Sequence, residues 1–341
     1  MTGLEFQSPK ALRAAYSTVD GDALGDFIAS AYPFDAPFTC RLLRRGFNDV
    51  YLLRFADGHK KIARLSSRRA RGASNVAYET ALLRHLKQAG GEVAAPLGTK
   101  TGALSIEVEA VEGQRSLVVF EYLEGHFPGA DAQDTKAMAA SLATLHRLAG
   151  SYGGPPSQYV LDLRHLVMRP LQRLLDHEAM DEALSERLRK NASDLIAKVE
   201  AAVNLSMVVC HGDCHGGNTF MTSAPDGRRI GSFFDFDDGG PGYLAYDLAV
   251  YLWAMLLHRE EPALSDEQRE RWTCFVEGYR DVSPVPANDY SAIALFVSAR
   301  HFWFLGEYAS RSDEWGSSAL PLEWLRKQAD KLEQWSGMAT P

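Results

Sequence analysis

Short runs of alternating hydrophobic and polar residues occupy much of the first third of the chain, and this alternation is typical of β-strands. The predicted strands lie at residues 38–43, 50–55, 61–65, 104–108 and 116–122. Asp57-Gly58 stands between the second and the third of them as a hairpin turn. One helical segment, at about residues 74–88, interrupts these strands, and Gly90-Gly91 would end it.

A break in composition at residues 124–129 separates this region from a part of the chain in which hydrophobic residues recur at helical spacing. The predicted helices lie at 134–146, 162–177, 181–203, 246–258, 265–279 and 289–310. Short strands predicted at 207–210, 219–221 and 230–234 interrupt the helices. The pattern therefore predicts a small sheet-rich lobe at residues 1–123 and a larger, mainly helical lobe at residues 124–341.

Composition narrows the class of protein without identifying it. A chain of 341 residues with 46% hydrophobic and 23% charged residues is ordinary globular material with room for two cores. Its net charge of −8 would repel nucleic-acid phosphates and anionic lipid, so we expect neither as a partner. Four cysteines without a C-x-x-C pair fit a reducing cytoplasm. The apolar run 248–257 is about half the length that a membrane crossing needs, and no signal-peptide pattern is found, so we expect a cytoplasmic protein.

Residues suited to catalysis are concentrated around the short strands of the second half. Residues 211–218 read H-G-D-C-H-G-G-N, and residues 235–238, across a hairpin, read D-F-D-D. Phosphoryl transfer needs a carboxylate that accepts the proton of a hydroxyl group, and oxygen ligands that hold Mg²⁺ against the phosphates. The spacing supplies these groups, with Asp213 as the base and Asn218 and Asp235 as the metal ligands.

The same polar segment admits other interpretations. His211 and His215 form a His-x-Asp-x-His arrangement that could hold a metal in a hydrolase, although an orienting role for His211 in the loop backbone is favoured. Asp213 and Asn218 could simply stabilise turns, since both residue types are common there. Asp237 would either assist with the metal or stabilise its loop.

The order of these motifs resembles the aminoglycoside phosphotransferase and choline kinase family, which shares the protein-kinase-like fold. Residues 45–51 (RGFNDVY) match its phosphate-covering turn, and residues 142–146 (LATLH) match its lobe-bridging helix. Residues 246–249 (YDLA) match the start of the helix after the metal loop, where Asp247 would hold the catalytic loop. The resemblance covers about residues 40–255 and implies an α+β, bilobal fold with a small antiparallel-sheet lobe and a large helical lobe.

The resemblance also implies where a nucleoside triphosphate, ATP or GTP, would bind. Gly46 and Asn48 belong to the phosphate-covering turn. The strand predicted at 116–122 would join the two lobes, and its backbone near Glu121 and Leu123 would hydrogen-bond the adenine edge.

A basic residue on the third strand pairs with the α- and β-phosphates in that family, and a glutamate on the next helix orients it. Arg64 stands where lysine is usual, so the phosphate geometry would differ from the family's, or Lys61 would substitute. Glu79 is the expected glutamate.

The acceptor is expected to be a small hydroxyl compound, because no long activation segment follows Asp235 to support an extended peptide. Amino alcohols, amino acids such as homoserine, and amino sugars are the leading classes. A group of late residues would belong either to the core or to the acceptor pocket: Arg300, His301, Phe302, Trp303, Tyr308, Arg311, Trp315 and Trp324. A serine/threonine protein kinase of the bacterial stress-response type and a nucleotide-binding pseudokinase remain alternatives, and the oligomeric state is not predicted.

Overall fold

In the computed structural model, the residues described are 14–67, 72–224, 226–261 and 263–341, and the chain divides into two compact units. The first unit comprises Leu97–Phe120 and the described part of Met1–Ala73. The second unit comprises Ser74–Pro96 and the described part of Glu121–Pro341. The lobes predicted at residues 1–123 and 124–341 stay a prediction.

A five-stranded sheet dominates the first unit, as the alternating pattern predicts. Its elements are α1 (Gly21–Ala31), β1 (Phe38–Arg45), β2 (Asn48–Phe55), β3 (Lys60–Ser66), β4 (Ile106–Ala110) and β5 (Gly113–Glu121). The strands lie side by side in the order β1-β2-β3-β5-β4, and the pairs β1–β2, β2–β3 and β4–β5 are antiparallel. Helix α1, which the hydrophobic pattern did not predict, buries Leu24 and Ile28 in the core of this sheet.

Helices make up most of the second unit. They are α2 (Gly72–Gln88), α3 (Ala132–Ala149), α4 (Arg169–Leu175), α5 (Glu182–Ala201), α6 (Leu244–Leu256), α7 (Asp266–Arg280), α8 (Ala287–Ala309), α9 (Ser312–Trp315) and α10 (Leu322–Trp335). A π-helical turn, Arg164–Met168, runs directly into α4, so the helix predicted at 162–177 begins with a π-helical turn. Helix α10, like α1, was not predicted from the sequence.

Helix α6 lies at the centre of the second unit. Every side chain from Leu244 to Trp253 is buried, and so is that of Leu256, as expected for a helix that is hydrophobic on all sides. Within the ranges that the structure describes, no helix combines the length and the apolar character that a membrane crossing requires.

Two small antiparallel ladders interrupt the helices and position the polar segments. Strand β6 (Met207–Cys210) pairs with β9 (Gly240–Tyr243), and β7 (Thr219–Ser223) pairs with β8 (Arg229–Phe233). The loop after β6 and the loop after β8 are therefore each anchored at the end of a ladder. Strand β9 lies in the segment that the sequence pattern predicted to lead directly into α6.

Candidate active site

The loop at residues 211–218 follows β6, and a single buried carboxylate fixes its start. Asp247, in the first turn of α6, accepts hydrogen bonds from the backbone N–H groups of His211 and Gly212, both at 2.8 Å. Nε2 of His146, on α3, lies 2.8 Å from the same carboxylate. Burial acts to raise the pKa of Asp247, but the contact with His146, together with His211 and the Gly212 N–H group, outweighs it and lowers that pKa. Asp247 thus anchors the loop backbone and lies away from solvent.

Position 212 of this loop accommodates only glycine. Its φ is +84°, in the left-handed region, and a Cβ placed there would lie 2.1 Å from the carbonyl oxygen of Asp238. The close approach of these two backbone segments brings the loop after β8 against the loop after β6.

Asp213 projects from this anchored loop and contacts three side chains. Its Oδ1 accepts a hydrogen bond from Nη2 of Arg300, and its Oδ2 accepts one from Nδ2 of Asn218 at 2.9 Å. Nε2 of His215 lies 3.5 Å from Oδ2. Burial acts to raise the pKa of Asp213, but the charge of Arg300 and the contact with His215 outweigh it and hold that pKa below its ordinary value. The carboxylate, whose side chain keeps 19% of its surface exposed, is therefore ionised at neutral pH.

Both ring nitrogens of His211 contact backbone groups. Its Nε2 lies 3.1 Å from the carbonyl oxygen of Phe234, and its Nδ1 accepts the backbone N–H of Asp213 at 3.2 Å. Burial lowers the pKa of His211, which favours the neutral ring with its proton on Nε2. With both nitrogens engaged, the ring is poorly suited to bind a metal, so the geometry disfavours the hydrolase interpretation.

Asn218 and Asp235 lie at the open end of the β7–β8 hairpin. The backbone N–H of Phe234, the residue before Asp235, donates to the carbonyl oxygen of Asn218 at 3.2 Å. The side-chain amide group of Asn218 donates to Asp213, which leaves its side-chain oxygen as the atom chemically suited to a cation.

Asp235 has a strained backbone. Its φ is +68°, and among the described residues only one other non-glycine residue, Asn204, has a positive φ. Such a conformation costs on the order of 1 kcal/mol and tends to persist at functional sites. Asp tolerates it better than most residues do, because its short polar side chain can hydrogen-bond locally.

The loop that continues from Asp235 is held through its backbone. The carbonyl oxygen of Asp237 accepts hydrogen bonds from Nδ2 of Asn75 at 3.2 Å and from the hydroxyl of Tyr159 at 3.1 Å. No sequence motif marked Asn75 or Tyr159 as a site residue. The two contacts explain how the loop keeps one conformation although it contains neither helix nor strand.

Three residues predicted to bind the nucleotide lie in the first unit. Gly46 and Asn48 form the turn between β1 and β2, where the N–H of Gly46 donates to the carbonyl oxygen of Asn48 at 3.1 Å. The side-chain oxygen of Asn48 accepts the N–H of Ser67 at 3.2 Å. Arg64 is buried on β3 with its guanidinium carbon 5.2 Å from the centre of the Phe120 ring, whereas Lys61 is only half-buried.

The other residues of the predicted nucleotide site lie in the second unit. Glu79 is buried on α2. The backbone N–H of Glu121 donates to the carbonyl oxygen of Ala95 at 2.9 Å, and its carboxylate lies 3.4 Å from Nζ of Lys87. The Glu121 N–H is thus engaged within the protein, so a hydrogen bond to a base would involve the Glu121 carbonyl or the backbone of Leu123.

An aromatic row beside the two loops was missed by sequence reasoning. The ring centres of Phe127 and Phe220 are 4.9 Å apart, and those of Phe220 and Phe234 are 5.1 Å apart. Phe220 follows Asn218 by two positions, and Phe234 precedes Asp235 directly. The alternation along β7 could have drawn attention to Phe220, since it lies on the face opposite the buried Thr219 and Met221.

Arg300 is the second feature that sequence reasoning did not place. It lies on α8, far along the chain from the loop at residues 211–218, and its side chain is buried. Its sequence context allowed only a choice between the core and an acceptor pocket, and no local pattern connects it with Asp213.

Comparisons with known proteins identify the family. A model described as "Phosphotransferase enzyme family" matches residues 39–285. An uncharacterised protein of Deinococcus radiodurans is 33% identical over 96% of this chain and 93% of its own length. The chain therefore belongs to the phosphotransferase enzyme family, which confirms the resemblance to aminoglycoside phosphotransferases and choline kinases.

Solved structures share the fold. Amicoumacin kinase hAmiN, in complex with AMP-PNP, Ca²⁺ and Ami, has a TM-score of 0.72 at 21% identity, covering 92% of this chain and 94% of that one. The microcompartment-associated aminopropanol kinase has a TM-score of 0.74 at 20% identity, covering 92% and 97%. These likenesses confirm the predicted α+β fold of the kinase-like type.

Proposed function

We propose that this member of the phosphotransferase enzyme family transfers the γ-phosphate of ATP, or of GTP, to a hydroxyl group of a small molecule, with Mg²⁺ as the metal. One observation carries the proposal: the partly exposed carboxylate of Asp213 is held on an anchored loop next to the amide of Asn218. Phosphoryl transfer asks the protein for this kind of positioning and for little covalent chemistry.

Asp213 is the group that we propose for the acceptor. Its carboxylate would accept a hydrogen bond from the acceptor hydroxyl and take up the proton as the oxygen–phosphorus bond forms and the bond from the γ-phosphorus to the leaving nucleoside diphosphate breaks. The low pKa makes it a weak base, so orienting the hydroxyl would be the larger part of its contribution.

Asn218 and Asp235 are the residues that we propose for the metal. An amide oxygen and a carboxylate form a hard oxygen donor set, which suits Mg²⁺, an ion that keeps several of its waters. When bound, Mg²⁺ neutralises charge on the phosphates. The strained backbone of Asp235 supports its choice, because a conformation of this kind persists only where the surrounding structure holds the residue in one place.

Each unit, taken by itself, has residues that support the proposal of nucleotide binding. In the second unit, the half-buried rings of Phe220 and Phe234 offer an apolar surface on which a base can stack. In the first unit, the buried guanidinium of Arg64 would contact the α- and β-phosphates. The related hAmiN structure contains AMP-PNP and Ca²⁺.

A small acceptor is favoured by the short path from Asp235 to α6. The chain passes from the loop at residues 235–239 into β9 and at once into α6, so no extended segment is present there to support a peptide. Amino alcohols, homoserine-like amino acids and amino sugars are the classes that we propose. A protein acceptor is the second candidate, and a pseudokinase is disfavoured because Asp213, Asn218 and Asp235 are all present.

A phosphotransfer assay tests this function. The protein, Mg²⁺ and γ-labelled ATP or GTP are incubated with a panel of amino alcohols, hydroxy amino acids and amino sugars, and in parallel with cell extract. We expect label on a small molecule, abolished by EDTA, and a fall in kcat of about 10²–10⁴-fold in Asp213→Asn with nucleotide binding retained.

Two outcomes would contradict the proposal. Label that depends on Asp213 but is found on serine or threonine of proteins would assign the protein-kinase function instead. Nucleotide binding without any transfer, in the panel and in the extract alike, would assign the pseudokinase function.

A further inference from the structure

Arg300 has an environment that is unusual for an arginine. Its side chain is only 4% exposed, although arginine rarely lies inside a protein. It is carried by α8, whereas its polar partners lie on the loop at residues 211–218 and on α6. A buried guanidinium must be paired and hydrogen-bonded to offset its desolvation, so its contacts indicate its purpose.

Those contacts reach two consecutive residues of the catalytic loop. Nη2 donates to the carboxylate of Asp213, while Nη1 donates to the backbone carbonyl of Gly212 at 3.2 Å. The hydroxyl of Tyr246 lies 3.4 Å from Nη1 and 3.3 Å from the same carbonyl. One rigid, planar group thus connects the backbone before Asp213 with the side chain of Asp213, which restricts the rotation of that side chain.

Two tryptophans fix the guanidinium itself. Its central carbon lies 4.2 Å from the centre of the Trp303 ring and 4.9 Å from that of the Trp253 ring. Aromatic faces attract a cation, and more strongly when both are desolvated. A lysine ammonium at this position could keep one charge contact, but it lacks the planar fork that reaches both loop atoms.

The backbone of the loop has a second anchor besides this arginine. Asp247 already holds the N–H groups of His211 and Gly212 at 2.8 Å, and His146 supports Asp247 from α3. Besides its bond to the Gly212 carbonyl, Arg300 therefore adds the contact with the side chain of Asp213, which Asp247 does not make.

We propose that Arg300 is a positioning residue, which holds the Asp213 carboxylate in the orientation that meets the acceptor hydroxyl. The inference rests on the proposed function, since it assigns Asp213 to the acceptor. The side chain of Arg300 is only 4% exposed and each of its Nη groups donates within the protein, so we assign it to positioning Asp213 and not to contacting the substrate. A displacement of a catalytic group by about 1 Å can cost on the order of 10²-fold in rate, which sets the size of the effect.

Three variants test the proposal, with turnover measured on an acceptor identified by the phosphotransfer assay. We expect kcat to fall about 10²-fold in Arg300→Ala and about 10-fold in Arg300→Lys, while the KM for nucleotide changes by less than about threefold. Arg326→Ala is the matched control, because Arg326 pairs with Asp181 at 2.7 Å through side chains that are 47% and 35% exposed, and its ion-pair partners, Asp181 and Glu323, lie outside the loop. It should leave kcat within about twofold.

Chemical rescue separates positioning from a merely structural role. Free guanidinium, at up to about 50 mM and so far below denaturing concentrations, should enter the space between Trp253 and Trp303 in Arg300→Ala and restore part of kcat. It should not restore kcat in Asp213→Asn. Binding that quenches tryptophan fluorescence without any recovery of kcat would overturn the proposal, as would an equal loss of nucleotide affinity in Arg300→Ala.

A measurement without turnover covers the case in which no acceptor is found. The fluorescence titration of Arg300→Ala with guanidinium should give an affinity about 10-fold higher than that of the double variant Arg300→Ala/Asp213→Asn. Equal affinities would show that the site does not couple to Asp213 and would overturn the positioning role. Unequal affinities without any phosphotransfer would support the pairing and count against the proposed function alone.

Discussion

Two buried arginines, one in each unit, are surrounded in contrasting ways. Arg115 in the first unit and its partner Asp49 both have side chains that are 0% exposed. Arg300 in the second unit is almost as buried, but its partner Asp213 keeps 19% of its side-chain surface exposed. The first network is closed to solvent, and the second ends on a carboxylate that a ligand can reach.

The closed network satisfies itself within the protein. Arg115 lies 2.9 Å from Asp49 and 3.3 Å from Glu112. It also donates to the backbone carbonyls of Ser17, Leu65 and Ser66. The same kind of ion pair is thus fully enclosed in the first unit and partly accessible in the second, and only the accessible pair is proposed to serve chemistry.

Removing the arginine from the closed network should have the largest effect on stability. Arg115→Met leaves Asp49 and Glu112 buried without their counter-ion, so we expect the free energy of unfolding to fall by about 3–5 kcal/mol. Urea unfolding at neutral pH measures this change. The matched control is Arg41→Met, which breaks an ion pair with Asp22 whose side chains are 67% and 75% exposed. If Arg115→Met lost no more unfolding free energy than Arg41→Met, enclosed and exposed ion pairs would not differ in their effect on stability.

A substitution near the accessible carboxylate of the second unit should change ligand affinity more than the free energy of unfolding. Phe220→Ala removes the middle ring of the aromatic row Phe127–Phe220–Phe234, which we expect to weaken nucleotide binding by about 2 kcal/mol, or roughly thirtyfold in Kd. Titration with a fluorescent ATP analogue gives the affinity, and thermal unfolding of the same sample gives the stability. Unchanged affinity would remove the aromatic row from the nucleotide site.

The smallest effect is expected from pH. His301, on α8 next to Arg300, is buried, and burial together with the charge of Lys331 lowers its pKa from 6.5 to about 3. The unfolded chain therefore binds a proton that the folded protein does not, and stability is lost as pH falls below about 6.5. We expect the wild-type protein to lose about 1 kcal/mol more than His301→Asn between about pH 7.5 and about pH 5.5.

The Asn variant is a suitable partner in that measurement because its side-chain oxygen can still accept the indole N–H of Trp253, which donates to Nδ1 of His301 at 3.1 Å. Denaturant unfolding at both pH values gives the four free energies. Parallel losses in the two proteins would mean that His301 does not titrate on unfolding.

Hydrophobic periodicity predicted much of the fold, and each element that it did not predict has an identifiable cause. The alternating runs predicted the five strands of the first unit, because one face of that sheet is buried. Helix α10 is absent from the predicted helices although it carries a helical pattern, because Leu325, Ala329 and Leu332 recur at helical spacing. Strand β9 could not be foreseen, because Gly240-Pro241-Gly242 has little strand propensity and pairs with β6 through its backbone.

The sequence predicted the site only where the site residues are close to one another along the chain. Asp213, Asn218 and Asp235 share one loop and one hairpin, so their spacing predicted that they would lie near one another, and their roles stay proposals. Arg300 lies 87 positions from Asp213, and no local pattern records that contact. The same holds for His146, which reaches Asp247 across 101 positions.

Gly212 limits how this chain can diverge. Any side chain at that position would place a Cβ against the carbonyl of Asp238, and it would also force an L-residue into a backbone region that favours glycine. Every codon change there that alters the amino acid thus perturbs both loops at once. In evolutionary terms, Gly212 makes substitutions in two segments that are distant in the gene depend on each other, because a shift of one backbone changes the surroundings of the other.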